Sequence, residues 1–103
     1  MAWIYLVVAG ILEVVWAFAM KQSDGFTRPT ASAVTILTMI ASFALLSLAM
    51  RTLPLGTAYT VWTGIGAIGA FLVGVIVLGE AVTPLRVTAA LLIVTGLVAM
   101  KLA

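Results

Sequence analysis

Glu13 is the residue whose type and position first indicate chemistry. It lies in AGILEVVWAFAM (Ala9 to Met20), inside an apolar stretch from Ala2 to Met20 that contains no other charged residue. An ionised carboxylate in hydrocarbon costs at least ~2.5–3.5 kcal/mol even on lenient insertion scales. Such a glutamate is therefore protonated or paired with a cation, and it typically marks an ion or substrate pathway. The alternative is a structural glutamate that is hydrogen-bonded within the protein.

Aromatic side chains at helical spacing could line a cation site together with this carboxylate. Trp16 follows Glu13 at i+3 and Gly10 precedes it at i−3, so these residues share one helix face. Tyr59 and Trp62 are also three residues apart, and each combines a polar tip with a π surface that can line a cation site. Both residue types also anchor helices at membrane interfaces. Trp62 fits that alternative poorly, because it lies about 12 Å inside its apolar segment.

Small residues in the third apolar segment predict close helix packing. GIGAIG at 64–69 matches the dinucleotide-binding pattern formally, but that pattern requires a strand before it and a helix after it. We therefore reject it. Gly66, Ala70 and Gly74 form a small-xxx-small stripe that allows close helix approach. Four glycines are therefore interpreted as positions of helix packing or bending: Gly10 in the first segment, and Gly64, Gly66 and Gly69 in the motif.

Composition places these residues in a membrane protein. The chain has 103 residues, of which 65% are hydrophobic and 8% charged, and its mean hydropathy is +1.35. Soluble domains carry about 25% charged residues. Histidine and cysteine are absent, so metal sites built on imidazole or thiolate, disulfides and Cys/His catalysis are excluded. We expect no cofactor, no metal, no enzymatic activity and no nucleic-acid partner, and we interpret the first segment as retained rather than as a cleaved signal peptide.

The elements that must position these residues are four transmembrane helices. A bilayer core of ~30 Å needs about 20 apolar helical residues, and the sequence contains four such runs, at about 2–20, 30–50, 55–79 and 85–100. A proline precedes or begins each of the last three runs, where its missing N–H is tolerated. Asp24-Gly25 predicts a turn in the first connection. The chain is thus predicted to form one all-α domain over residues 1–103, with neighbouring spans antiparallel.

The basic residues give little information about orientation. The basic residues near the ends of the four runs lie three against two between the faces, with Lys21, Arg28 and Arg86 on one face and Arg51 and Lys101 on the other. The positive-inside rule therefore predicts almost no preference for either orientation in the membrane. One hypothesis is uniform insertion by a small margin; the other is dual topology, in which antiparallel copies pair. In the fourth run Ala89 and Gly96 are seven apart, which indicates a packing seam that we expect to join two subunits.

These motifs resemble a known transporter family. GILEVVWA, Ser42 and LPLGTAYTVWTGIGAIGA are similar to the small multidrug resistance family of four-span bacterial transporters, over the whole chain. Trp16 at i+3 from the glutamate indicates the guanidinium-exporter subtype. The resemblance implies a multi-pass protein of the bacterial inner membrane that forms an antiparallel homodimer, with helices 1–3 lining the substrate site and helix 4 forming much of the dimer contact.

The resemblance also implies roles for individual residues. Glu13 would bind proton and substrate alternately, Trp16 and Ser42 would be its hydrogen-bonding partners, and Tyr59 and Trp62 would line the site. Without the resemblance, Ser42 is expected to bond a carbonyl of its own helix. The predicted function is therefore proton-coupled antiport of guanidinium-like cations, because a guanidinium presents N–H donors that suit a carboxylate.

Three other functions remain compatible with the sequence. A member of the same family could export quaternary ammonium or aromatic cations. A cation channel with the same lining would not depend on proton countermovement. A structural membrane subunit would pair Glu13 with a lysine or arginine of a larger complex.

Overall fold

The computed structural model describes residues 1–103 and contains four α-helices. They are α1 (Ala2–Gln22), α2 (Pro29–Ala49), α3 (Leu55–Ile76) and α4 (Pro84–Leu102). All four are long and apolar enough to cross a membrane. The prediction of an all-α protein with four span-length helices is therefore confirmed. The third span was expected to reach residue 79, but α3 ends at Ile76 and residues 77–83 link it to α4.

Prolines define where three of the helices begin. Pro29 and Pro84 are the first residues of α2 and α4, and Pro54 is the N-cap residue of α3. Proline is tolerated at these positions because the first N–H groups of a helix have no partner within it. At α4 the cap is completed by Thr83, whose side-chain oxygen accepts the Arg86 N–H at 3.1 Å.

The link between α1 and α2 contains the turn expected at Asp24-Gly25. Asp24, Gly25 and Phe26 have φ of 50°, 71° and 66°, a region in which asparagine, aspartate and glycine are tolerated best. Ser23 is buried and holds the turn together. Its hydroxyl donates to the Met20 carbonyl at 2.6 Å and accepts the Phe26 N–H at 3.1 Å.

The helices form a flat layer in which α1 is central. It packs against both α2 and α3, whereas α4 packs only against α3. The overall dimensions are 40 × 35 × 16 Å, so the molecule is little more than one or two helices thick. No residue of α4 is buried. Apolar side chains therefore cover most of the surface, as expected for a protein whose solvent is a bilayer.

The core lies toward one face of this layer. We call the end with Met1, Arg51 and Lys101 the amino-terminal face and the other end the Lys21 face. Where α1, α2 and α3 meet near the amino-terminal face, seven residues form a buried cluster: Leu6, Ala9, Leu46, Ala49, Ala58, Val61 and Trp62. At the same face the Lys101 ammonium lies 5.3 Å from the Trp3 ring centroid, which connects the end of α4 to the start of α1.

Candidate functional site

Glu13 lies in the middle of α1 and points its carboxylate at α3. The residue is partly buried, and its Oε1 atom is fully buried without a hydrogen-bond partner. The carboxylate is accommodated by Gly66, because a Cβ added there would collide with Oε1 and Cδ of Glu13. An unpartnered buried carboxylate oxygen is costly. The site is therefore one in which a proton or a cation on Glu13 relieves a large desolvation cost.

Ser42 joins three helices through one hydroxyl. Its Oγ donates to the Ala9 carbonyl of α1 at 2.7 Å and accepts the indole N–H of Trp62 on α3 at 3.0 Å. The residue is completely buried. Ser42 was expected to bond either a carbonyl of its own helix or Glu13, and in this structure it does neither. Its hydroxyl acts instead as a bridge from α2 to both neighbouring helices.

Trp16 lies one turn beyond Glu13 on α1 and is also partly buried. Its indole N–H was expected to donate to Glu13, but the Nε1 atom is buried and has no hydrogen-bond partner. Two complementary groups on one helix face, a carboxylate oxygen and an indole donor, are thus both unpaired. Their pairing requires a change of rotamer or a ligand that contacts both.

Aromatic rings form a continuous run across α1, α2 and α3. Trp16 contacts Phe43 edge-on with centroids 6.4 Å apart, Phe43 contacts Trp62 at 5.7 Å, and Trp62 contacts Tyr59 at 5.6 Å. These distances are typical of favourable aromatic pairs. Trp62 is only 6% exposed, whereas Tyr59 is 53% exposed. The run therefore begins beside Glu13 and ends on the surface of the protomer.

Phe43 is the member of this run that the sequence analysis did not include. It is 48% exposed and lies between the two indoles. Phe43 is the sole aromatic residue of α2 and directly follows Ser42. An aromatic residue next to Ser42, in a helix of otherwise aliphatic and small residues, was the sequence signal that could have placed Phe43 in the site.

The four glycines interpreted as packing positions each lie against a side chain of another helix. In the α1–α3 contact, a Cβ at Gly10 would lie 2.8 Å from Cβ of Ile65, and one at Gly69 would collide with Val14. In the α3–α4 contact, a Cβ at Gly64 would collide with Leu97. With Gly66 on Glu13, three of the four positions bring α1 and α3 together around the carboxylate. The structure assigns α3 as one uninterrupted helix.

Ala89 and Gly96 lie on the uncovered side of the protomer. Both residues are exposed, and a Cβ added at Gly96 would meet nothing within 4 Å. Each lines a groove between α3 and α4, of about 290 Å³ at Ala89 and about 520 Å³ at Gly96. Tyr59 lines the second groove as well. This surface has no partner within the protomer.

The two ends of the α1–α3 contact differ in packing. Toward the amino-terminal face the buried cluster fills the contact between α1, α2 and α3, and a groove of about 260 Å³ lies beside it between α1, α3 and α4. Toward the Lys21 face the helices separate around a cavity of about 150 Å³, whose walls include Val14, Ala17 and Ala70. Ala17 is one turn from Glu13, and Ala70 is one turn from Gly66. The cavity therefore ends about one helical turn from Glu13, which itself does not line it.

These features define the class of the protein. Four span-length apolar helices indicate a small multi-pass membrane protein. A carboxylate buried between two such helices is typical of proteins with an ion or substrate pathway. No cluster of His, Cys, Asp or Glu side chains in the chain could hold a metal ion.

Comparison with known proteins identifies the family. The family model for the Small Multidrug Resistance protein matches residues 1–94, and the chain belongs to this family. The guanidinium exporters of Citrobacter freundii and Salmonella typhimurium are each 57% identical over 102 residues, which cover 99% of this chain and 97% of the relative. The guanidinium exporter of Escherichia coli (strain K12) is 54% identical with the same coverage. The resemblance on which the sequence analysis relied is thereby confirmed.

Proposed function

We propose that this protein exports guanidinium and small guanidinium-like cations across the bacterial inner membrane in exchange for protons. The observation that carries the proposal is the buried, unpartnered Oε1 atom of Glu13 in a span-length helix. Relatives 54–57% identical over nearly the whole chain are named guanidinium exporters, which supports the choice of cation.

Guanidinium suits this carboxylate for chemical reasons. The cation is planar, remains charged at physiological pH and presents several N–H donors in a plane. A carboxylate accepts two of these donors at once, and such charge-assisted bonds are roughly twice as strong as neutral ones. A proton occupies the same oxygen atoms, so Glu13 holds one or the other. This competition is the minimum requirement for exchange of the two cations across a membrane.

The surrounding side chains have roles that follow from their positions. Trp16 supplies an indole donor one turn from Glu13, and that donor orients the carboxylate when the substrate is bound. Ser42 exchanges its present acceptor on Ala9 for Glu13 in the same state. Tyr59 and Trp62 offer π faces to the cation.

The functional unit is an antiparallel homodimer with dual topology. The protomer is a thin layer whose α4 has no buried residue, so a second copy is needed to enclose a pathway. Ala89 and Gly96 contribute small residues to that contact, where helices approach closely. Two copies of Glu13 then face one site from opposite orientations, and alternating access follows when the two protomers exchange conformations.

An alternative is export of aromatic or quaternary ammonium cations. The half-exposed rings of Phe43 and Tyr59 favour it, since they extend the aromatic run to the surface. The two functions differ in substrate size, so the same transport assay separates them.

Uptake into proteoliposomes tests the proposal. We expect guanidinium to accumulate in vesicles with an acidic interior and to do so much more slowly without a proton gradient. An aromatic quaternary ammonium ion should compete weakly. Glu13→Gln should insert normally and show no gradient-driven uptake. Uptake that is independent of the proton gradient would instead indicate a channel.

A further inference from the structure

The cavity between α1 and α3 contains two charged residues that the proposed site does not use. Its α1 wall includes Lys21, and Glu80 lies on the opposite wall, in the link after α3. Both are at the Lys21 face, where the cavity opens. A cation that entered the cavity from this face would meet both side chains before it reached Val14, the lining residue next to Glu13.

The chain reverses after α3 in a way that places the Glu80 carboxylate over this cavity. Gly79 has φ of 68°, which permits the reversal. The Glu80 N–H then donates to the Gly74 carbonyl at 2.9 Å. The side chain folds over Gly74, since a Cβ added at Gly74 would lie 2.6 Å from Glu80 Oε1. The carboxylate therefore lies against the end of α3, in a residue that is exposed as a whole.

The helix dipoles make this an unusual position for a carboxylate. α1 and α3 both end at the Lys21 face, and the end of a helix carries partial negative charge from its unpaired carbonyls. Lys21, in the last turn of α1, is placed favourably, whereas Glu80 adds negative charge to a region that is already negative. Lys21 is the sole cationic side chain that lines the cavity. One cationic and one anionic side chain thus line the cavity beside the carboxyl ends of two helices, and the partial negative charge of these ends favours a further cation.

We propose that Glu80 is an outer binding site for the transported cation, at the opening of the α1–α3 cavity, and that Lys21 competes with the cation for the Glu80 carboxylate. The proposal rests on the proposed function, because it assigns the first contact of the same substrate. A guanidinium group would donate to Glu80 as it later donates to Glu13. In an antiparallel dimer, each face of the membrane has one such opening.

A different role for the same pair would be a simple ion-pair gate. In a gate, removal of either charge has the same effect, because both variants break the same contact. In an outer binding site the two charges have opposite effects on the cation. The direction in which each substitution shifts the apparent KM therefore distinguishes these roles.

The test measures initial rates of radiolabelled guanidinium uptake by the full chain in proteoliposomes at low ionic strength. Glu80→Gln should raise the apparent KM by about three- to tenfold, and Lys21→Gln should lower it by about twofold or more, because local charge controls the encounter. Both effects should shrink in high salt. Asp24→Asn and Arg28→Gln are matched controls, since both residues are exposed at the same face but do not line the cavity, and they should change KM much less than the substitutions at Lys21 and Glu80.

The outcomes separate this inference from the proposed function. Shifts of KM in the same direction, or no shift in either variant, would overturn the outer site while wild-type transport and its loss in Glu13→Gln remain. Absence of guanidinium transport by the wild type would overturn both. Equilibrium binding of guanidinium to purified Glu80→Gln should match the wild type, because Glu13 is intact, and a large loss there would also contradict the proposal.

Discussion

At the scale of single residues, the Ser42 hydroxyl is the polar contact that fixes the site. The Ala9 carbonyl that it contacts is four residues before Glu13, in the turn that precedes the carboxylate. The Trp62 indole donates to the same hydroxyl. Position and orientation of α1, α2 and α3 around Glu13 thus depend on one buried oxygen atom.

Substitution of Ser42 should therefore have two effects. Ser42→Ala leaves the Trp62 N–H buried without an acceptor, which costs about 1–3 kcal/mol of stability. Guanidinium affinity should fall about tenfold or more, since the charge-assisted bond to Glu13 proposed for the substrate-bound state is lost as well. The measurements are unfolding in detergent and ligand binding. Ser47→Ala, at an exposed position of the same helix, is the control, and equal behaviour of the two variants would remove Ser42 from the site.

The sequence predicted some of these residues and could not predict their partners. Glu13 was recognised because a charge in an apolar helix has few structural explanations, and Trp62 because of its depth. The acceptor of the Ser42 hydroxyl depends on a rotamer and on how α2 lies against α1, neither of which a single sequence contains. Phe43 stands out in the sequence as the one aromatic residue of α2, but its place between the two indoles depends on how the helices pack.

At the scale of helices, the α1–α3 contact combines packing and function. Gly10 and Gly69 permit close approach of the two helices, whereas Gly66 provides room for the Glu13 carboxylate itself. A carboxylate is the far end of a flexible side chain and can move aside, but the β-branched Ile65 opposite Gly10 cannot. An added methyl group would therefore disturb helix packing at Gly10, but the position of the Glu13 carboxylate at Gly66.

Gly66→Ala should separate folding from binding. The added methyl group displaces the Glu13 carboxylate, so guanidinium affinity should fall about tenfold or more through a lost charge-assisted bond. Helix stability should not fall, because alanine favours helices more than glycine by about 1 kcal/mol. Gly56→Ala, on the same helix with nothing within 4 Å of the added Cβ, is the control. Binding by Gly66→Ala at the wild-type level would place the active carboxylate elsewhere.

Helices were predicted more completely than their ends. Hydropathy and the three prolines indicated four helices, because length and apolarity are what a bilayer requires. The end of α3 was placed beyond Ile76, since Val77 and Leu78 continue the apolar run. Apolarity does not distinguish a helical residue from a linking residue at the membrane surface, and the reversal at Gly79 depends on its backbone conformation. The position of Glu80 over Gly74 follows from that reversal and was not predictable.

At the scale of the whole molecule, the protomer is incomplete as an enclosed pathway. It is 16 Å thick in its smallest dimension. Its fourth helix packs against α3 and meets α1 where Lys101 lies over Trp3. Glu13 is flanked by two helices of one layer. The distribution of basic residues, three at one face and two at the other, allows insertion in both orientations. An antiparallel pair would enclose the pathway that one thin protomer leaves open, and it would require insertion in both orientations.

Fixing the orientation should abolish transport by a single variant. Thr30→Lys with Val82→Lys adds charge at the Lys21 face, and Thr52→Lys with Ala103→Lys and Arg28→Gln shifts it to the amino-terminal face; the four lysine positions are all exposed. Each variant alone should be inactive in cells challenged with guanidinium, and co-expression should restore resistance. Full resistance from one uniformly oriented variant would contradict the antiparallel dimer.

The most direct test of the account is proton release when guanidinium is added to the purified protein in weak buffer. The central claim is that Glu13 holds either a proton or the cation. Wild-type protein should therefore release protons on binding, its affinity should rise with pH as the competing proton is lost, and release should disappear at a pH where Glu13 is already ionised. Glu13→Gln should neither bind guanidinium nor release protons. Proton release by Glu13→Gln equal to that of the wild type would contradict the claim.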